Sequence, residues 1–389
     1  MRENPQNPGQ NTDTPYYQYG NCNSDSHCSS SLMAWGGFSR RLLNQWKSIV
    51  IATIILMVLV NSPVTQARNA NGSRFLSLRE ALDISVRRNP SLKLMDIKIQ
   101  KAKLDIEQQF IDVQESELMV KQKKLALLAW QNQRQTIMNN VKLDVHNKYY
   151  QCVIAVIRLS IAKEDLKYAG EYLEDSKKNY REGKIHKVQL RQIEEIFKQK
   201  EEEEIMSRGE LRRAKLALLL SINERLGARI AVAESIGENI RELRLKDIRR
   251  RVLTNNRNIR AARLKYSIKK MESSLVDESL MSKNDIRKAR YDLDEAAIEL
   301  EEEIRQQNVE AVSRYLIVRD MEARMITAEK RLKRARLGYL LASKRYRDGY
   351  INKQIYHNSD MDYKRMRLTH ETMVQNYNIA KLRLFFLLN

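Results

Sequence analysis

Apolar and small residues recur every three or four positions through long stretches of the chain. One such stripe runs from Leu159 to Tyr180, and another runs from Met325 to Tyr346. This spacing keeps a stripe on one face of a helix, where it can pack against a partner helix. We find no run of alternating apolar and polar residues, bounded by turn residues, that would indicate a strand. The pattern therefore predicts an all-α fold of long, paired helices.

Proline, the strongest helix breaker, is confined to the beginning of the chain. All five prolines lie between Pro5 and Pro90, and none occurs from there to Asn389. Proline removes a backbone donor and clashes with the preceding helical turn, so its absence permits very long helices. Ala, Leu, Glu, Lys, Arg and Gln, which favour helices, dominate this proline-free stretch.

The chain contains an internal repeat. Shifting it by 166 residues aligns Ser176–Asn223 with Ala342–Asn389 without a gap, with 12 identities over 48 positions. The matches include Gly183 with Gly349, and a slip of one residue extends the alignment upstream to Asn89 and Asn256. We infer two tandem copies of one helical unit.

Each copy is expected to contain three helices. A shorter helix rises, a very long one returns, and a last helix follows a tight reversal at Gly183 or Gly349. Sixty-three residues of helix span about 95 Å at 1.5 Å per residue. The predicted helices cover residues 91–112, 118–180 and 187–223, then 257–278, 284–346 and 353–388. The two repeats are placed at 68–226 and 247–389, with residues 227–246 as the connector.

The first 67 residues are different in kind. Residues 1–32 are rich in Asn, Ser, Gln and Tyr and are predicted to be disordered. Three basic residues then precede an apolar run from Ile49 to Val60, and small residues allow cleavage after Ala67, which is the order of a secretory signal peptide. The apolar run is short for a bilayer span, so a permanent anchor is the weaker alternative. A start at Met33 would give a signal of ordinary proportions.

The formal net charge is +21. In a cytosolic protein such a charge would indicate a nucleic-acid partner, but export argues against that partner. Acidic residues are also interspersed among the basic ones, which is typical of a solvated helical surface.

Residues that could carry enzymatic chemistry are few and scattered. Cys152 is expected to be a packed hydrophobe, and the acidic runs Glu201–Glu204 and Glu299–Glu303 are expected to be solvated faces that pair with Lys or Arg one turn away. The histidines after residue 67 have no metal-ligand spacing, and those near the hairpin tips, His186 and His357, are expected to be exposed. We therefore expect no enzyme, no metal and no cofactor. The histidines are His146, His186, His357 and His370.

Several short motifs resemble the TolC-like outer-membrane efflux family. Leu76–Leu82 and Arg88–Leu92 resemble the start of its members. The glycine turns Tyr180–Ile185 and Tyr346–Ile351 resemble its tip segments. The resemblance covers residues 75–389, in both halves and in the same order.

This resemblance implies a homotrimeric duct across the periplasm, whose tips dock the periplasmic adaptor of an efflux system with an inner-membrane pump. The family also inserts two strands per repeat into an outer-membrane β-barrel. Segments 112–118 and 276–284 are too short and polar for such strands, so we expect the strands to be missing, and association with the outer membrane stays open. By resemblance, the docking candidates are Tyr180, Arg181, Gly183, Ile185, Tyr346, Arg347, Gly349 and Ile351.

The leading hypothesis is a passive, TolC-like duct component in the bacterial cell envelope. The rival is a periplasmic coiled-coil scaffold that has lost transport, and a cytosolic nucleic-acid-binding coiled coil survives only without the signal peptide. The cations that end the second long helix either line the duct, where they would favour anions, or point outward. They are Lys330, Arg331, Lys333, Arg334, Arg336, Lys344, Arg345 and Arg347.

Overall fold

A computed structural model describes residues 74–109, 117–237, 243–276 and 282–388 of the chain. Over these residues the fold consists of eight helices and two very short strands. In chain order the elements are β1 (Arg74–Phe75), α1 (Leu78–Arg88), α2 (Pro90–Gln109), α3 (Glu117–Arg181), α4 (Lys187–Ser221), β2 (Ile230–Ala231), α5 (Leu245–Asn255), α6 (Arg257–Ser274), α7 (Lys283–Arg347) and α8 (Lys353–Leu387).

The helices repeat as the sequence predicted. α3 and α7 each have 65 residues, and α4 and α8 each have 35. Both pairs are offset by 166 residues, whereas α1 and α5, each of 11 residues, are offset by 167. The one-residue slip of the sequence alignment is therefore a real difference between the two repeats, and the predicted all-α fold of long helical hairpins is confirmed.

Equivalent asparagines explain why the alignment continues past the slip. Asn89 Oδ1 accepts a hydrogen bond from the Leu92 backbone N–H at 3.1 Å, just before α2. Asn256 Oδ1 accepts from the N–H groups of Asn258 and Ile259 at the start of α6. Each side chain satisfies a donor that the first helical turn leaves unpaired.

The structure adds elements that the sequence did not predict. α1 and α5 are separate short helices, and β1 pairs with β2 in parallel, so the expectation of no strands is wrong for these four residues. The pair holds the predicted connector against the start of the first repeat. Residues 1–67 and most of 112–118 and 276–284, on which the signal-peptide and missing-strand predictions rest, lie outside the described residues.

The four longest helices pack side by side in the order α4, α3, α8, α7. The predicted stripes face inward, with Ala162, Ala169, Met325 and Ala328 buried between helices. The largest hydrophobic core lies at the end away from the glycine turns, where α1 and α5 pack on the long helices. Across the described ranges, no helix is long and apolar enough to cross a membrane.

Candidate functional site at the hairpin tips

The first hairpin reverses at Gly183. Its φ of +72° lies in the left-handed region, which glycine adopts without a steric penalty. The Lys184 N–H donates to the Asn179 carbonyl at 2.8 Å, and the Gly183 N–H donates to the Tyr180 carbonyl at 3.0 Å. These two bonds form a Schellman motif, which satisfies the last carbonyls of α3 and ends the helix.

The second hairpin reverses in the same way at Gly349, with φ of +77°. The Tyr350 N–H donates to the Arg345 carbonyl at 2.8 Å, and the Gly349 N–H donates to the Tyr346 carbonyl at 3.1 Å. Asn352 Oδ1 then accepts from the Ile355 N–H at 2.9 Å and starts α8. The two turns are therefore built by the same backbone bonds at positions 166 residues apart.

The predicted docking residues form one group at each tip. Arg181 and Arg347 are exposed, and Ile185 and Ile351 are half-buried under the turns. Tyr346 stacks on Tyr356 with ring centroids 5.1 Å apart. Beside the predicted residues, Tyr350 is 80% exposed and Val188 is 67% exposed, so each tip presents a large apolar side chain to solvent. That these residues bind an adaptor stays a prediction.

The two tips do not end at the same level. On α8, His357 stacks on Tyr168 of α3, and the preceding residue, Tyr356, stacks on Tyr346 of α7. Tyr168 and Tyr346 therefore lie at similar heights beside α8. The repeat counterpart of Tyr346 is Tyr180, which lies 12 residues beyond Tyr168. At 1.5 Å per residue the second tip is about 18 Å short of the first.

Below the tips, α3 and α8 are joined by a polar cluster around Asp165. Its carboxylate is 10% exposed and lies 3.2 Å from His357 Nε2, 3.9 Å from Arg365 and 4.0 Å from Lys200. The His357 ring stacks on Tyr168 at a centroid distance of 3.6 Å. The prediction that His357 is exposed is wrong, because α8 packs against α3 at this level and leaves the histidine side chain only 14% exposed.

Burial controls the titration of this cluster. Desolvation lowers the pKa of His357, although the neighbouring Asp165 carboxylate opposes the shift. Desolvation also raises the pKa of Asp360 and lowers the pKa of Lys364, which bridges Asp360 and Glu164. His357 is therefore held towards its neutral form in the folded chain.

One further pair between α3 and α8 lies closer to solvent. Lys353 Nζ is 2.8 Å from Glu171 Oε2, and this contact lowers the pKa of Glu171. The first long helix thus contributes most of the acidic groups to this contact, and the last helix contributes most of the basic ones.

The basic end of α7 is arranged differently. All eight predicted cations are exposed, and among the described residues only Lys333 has an ion-pair partner, Glu329 at 2.5 Å. That they line a duct or point outward stays a prediction. The first acidic run forms the expected ion pairs one turn away, because Glu203 pairs with Lys200 and Glu204 pairs with Arg208. Glu204 is buried, however, and not on a solvated face.

Within the part of the chain that the structure describes, no cluster of His, Cys, Asp or Glu could hold a metal ion. Cys152 is fully buried, and desolvation raises the pKa of its thiol to about 11. This thiol is therefore unreactive in the folded protein.

No family model and no curated protein matches the chain by sequence. Solved structures do match its fold. A membrane protein from Pseudomonas aeruginosa superposes with a TM-score of 0.59 at 12% identity, over 80% of this chain and 90% of that one. The CmeC outer membrane channel of Campylobacter jejuni gives 0.56 at 11% identity, over 80% and 85%. The open-state MtrE outer membrane channel of Neisseria gonorrhoeae gives 0.54 at 11%, over 80% and 88%.

The chain therefore has the fold of the TolC-like outer-membrane channels, and the resemblance seen in its sequence is confirmed at the level of the fold. The solved structures that it matches include several outer membrane channels.

Proposed function

We propose that this protein is a passive duct component of an export system in the bacterial cell envelope, assembled as a homotrimer with a periplasmic adaptor and an inner-membrane pump. The long hairpins form the wall, and the glycine turns form the end that a partner opens. The shared fold supports this proposal. In this proposal the pump supplies the energy for transport.

The observation that carries the proposal is an unpaired coiled-coil stripe on each edge helix. The outer faces of α4 and α7 each keep strict spacing of three and four residues over most of their length. Such a stripe normally faces another helix, yet these faces are exposed within one chain. The apolar members are Val188, Met206, Leu216 and Leu220 on α4, and Ile298, Val309, Leu316, Ile326, Leu337 and Leu340 on α7.

These stripes favour closure by further copies of the chain. α4 and α7 are opposite edges of a four-helix layer, so one copy can place its α7 against the α4 of the next. A contact between two different edges can be repeated from copy to copy, and it forms a closed ring when the rotations between copies add up to a full turn.

The test combines mass measurement of the processed chain with its location and activity. A trimer that fractionates with the envelope, together with loss of export when the gene is deleted, supports the duct. A monomer or dimer in the periplasm with unchanged export contradicts the duct and supports the scaffold that has lost transport. A processed chain that begins near Arg68 supports export by the signal peptide.

A further inference from the structure

The contact between hairpins of one chain indicates how neighbouring copies recognise each other near the tips. This inference rests on the proposed ring of copies. Within a chain, α3 meets α8 through Glu164, Asp165 and Glu171 on one side and Lys353 and Lys364 on the other. This contact is a pattern of acids on the first helix and bases on the last.

The repeat maps this contact onto the two exposed edges. Adding 166 to Glu164, Asp165 and Glu171 gives Lys330, Arg331 and Leu337, all exposed on α7. Subtracting 166 from two α8 residues that pack inward, Met361 and Leu368, gives Glu195 and Glu202, both exposed on α4. The unpaired stripes therefore lie on the same helix faces by which α3 and α8 contact each other.

The charges at these positions are opposite on the two edges. Between Ile326 and the tip, the charged members of the α7 stripe are Lys330, Lys333, Lys344 and Arg347. Between the first tip and Met206, the charged members of the α4 stripe are Glu195 and Glu202.

Other charges face the same region and have to be considered. Arg191 and Lys198 lie one step around α4 from its stripe, and Glu194 and Glu201 lie beside them. On α7 the flanking groups are basic, with Arg331 and Arg334 exposed next to Lys330. Thus α7 is strongly basic near its tip, whereas the outermost face of α4 is acidic.

We propose that the basic end of α7 in one copy docks on the acidic stripe of α4 in the next copy, and that this charge pairing fixes the order of hairpins in the ring. Leu337 and Leu340 on α7 and Met206 on α4 supply the apolar part of the same contact. An acidic α4 set against the acidic α3 of another copy, or a basic α7 set against α8, would bring like charges together, which disfavours the wrong neighbour.

Charge reversal with rescue tests the pairing. The reporter is the full chain with Met206→Cys and Leu340→Cys, joined by a long bismaleimide. Cys22 and Cys28 are replaced by Ser, and buried Cys152 does not react. Lys344→Glu with Arg347→Glu should lower the yield of linked copies at least about tenfold, because attractions to Glu202 and Glu195 become repulsions. Glu195→Lys with Glu202→Lys should lower the yield of linked copies by a similar factor. Combining all four changes should bring the yield back to within about threefold of the parent, because the attractions are restored with exchanged signs.

Arg287→Glu with Lys288→Glu is the matched control, because it reverses two exposed charges of α7 far from the tip. It should leave linking unchanged. Equal linking in the parent and the Lys344/Arg347 variant, or failure of the fourfold variant to recover, overturns the pairing. If that α7 variant still forms the ring but loses binding of another envelope protein, the α7 face belongs to an acidic partner instead, and the proposal is wrong. A parent chain that is monomeric at every concentration refutes the proposed duct itself, whereas a trimer without charge dependence refutes only this inference.

Discussion

Replacing Gly349 by alanine isolates the backbone strain of a hairpin tip. The φ of +77° is unfavourable for an L side chain, and a Cβ at this position would meet no atom within 4 Å. The expected cost is therefore that of the left-handed conformation alone, about 1–2 kcal/mol. Because the strain is local, it should weaken the last turn of α7 and the start of α8 and leave the distant core intact.

Hydrogen exchange measured by mass spectrometry reads this effect directly. Amides near Gly349 should exchange roughly 5–30 times faster in Gly349→Ala than in the parent. Gly349→Asn should lie between the two, since asparagine tolerates the left-handed region better than alanine does. Gly183→Ala should reproduce the result at the first tip, where φ is +72° and the added Cβ is equally free of contacts.

Gly338→Ala provides a control of opposite sign. Gly338 lies inside α7, and its added Cβ also meets nothing within 4 Å. Alanine should therefore stabilise the helix by about 0.5–1 kcal/mol and slow exchange around it. If Gly349→Ala and Gly338→Ala changed exchange in the same direction, the assignment of a strained turn would be wrong.

Three further predictions concern buried polar groups. Asp165→Asn should lower the free energy of unfolding in urea by about 1–3 kcal/mol, because charged hydrogen bonds to a buried carboxylate are lost, and an unchanged midpoint would contradict this. Burial lowers the pKa of His357 below its ordinary value of 6.5 in the folded chain. At a pH below 6.5 this histidine therefore binds a proton more readily in the unfolded chain, and the free energy of unfolding should decrease there. His357→Phe, which keeps a ring on Tyr168, should flatten this dependence, and an equally steep profile would refute it. Cys152, whose pKa is raised to about 11, should resist maleimide at pH 8 until the chain is unfolded, and rapid labelling of the folded protein would contradict its burial.

The sequence could predict the helices because their signals are local and repeated. Strict apolar spacing, the absence of proline and the match of Gly183 with Gly349 were sufficient to place both reversals correctly. Asn89 and Asn256, which cap α2 and α6, also match each other in the repeat alignment. The short helices before them, α1 and α5, were not predicted because each has only 11 residues.

The contact around Asp165 could not be predicted in this way. Asp165 and His357 are 192 residues apart, and neither has a local pattern that marks a partner. Only the packing of α3 on α8 makes them neighbours, and the same packing buries a histidine that looks like a tip residue in the sequence. The difference in height between the tips was also invisible, because the repeat aligns equivalent residues and contains no information on how the two hairpins slide past each other.

The equal lengths of the hairpins limit how this protein can change in evolution. α3 and α7 have 65 residues each, and α4 and α8 have 35 each. Because the seams between helices repeat every seven residues, the distance from core to tip can change only in steps of one heptad, about 10.5 Å. Deleting one heptad from both arms of a single hairpin would keep its own seam in phase but change the height difference between the two tips by about 10.5 Å. A viable lineage with a narrower or wider gap to bridge should therefore gain or lose whole heptads in both repeats together.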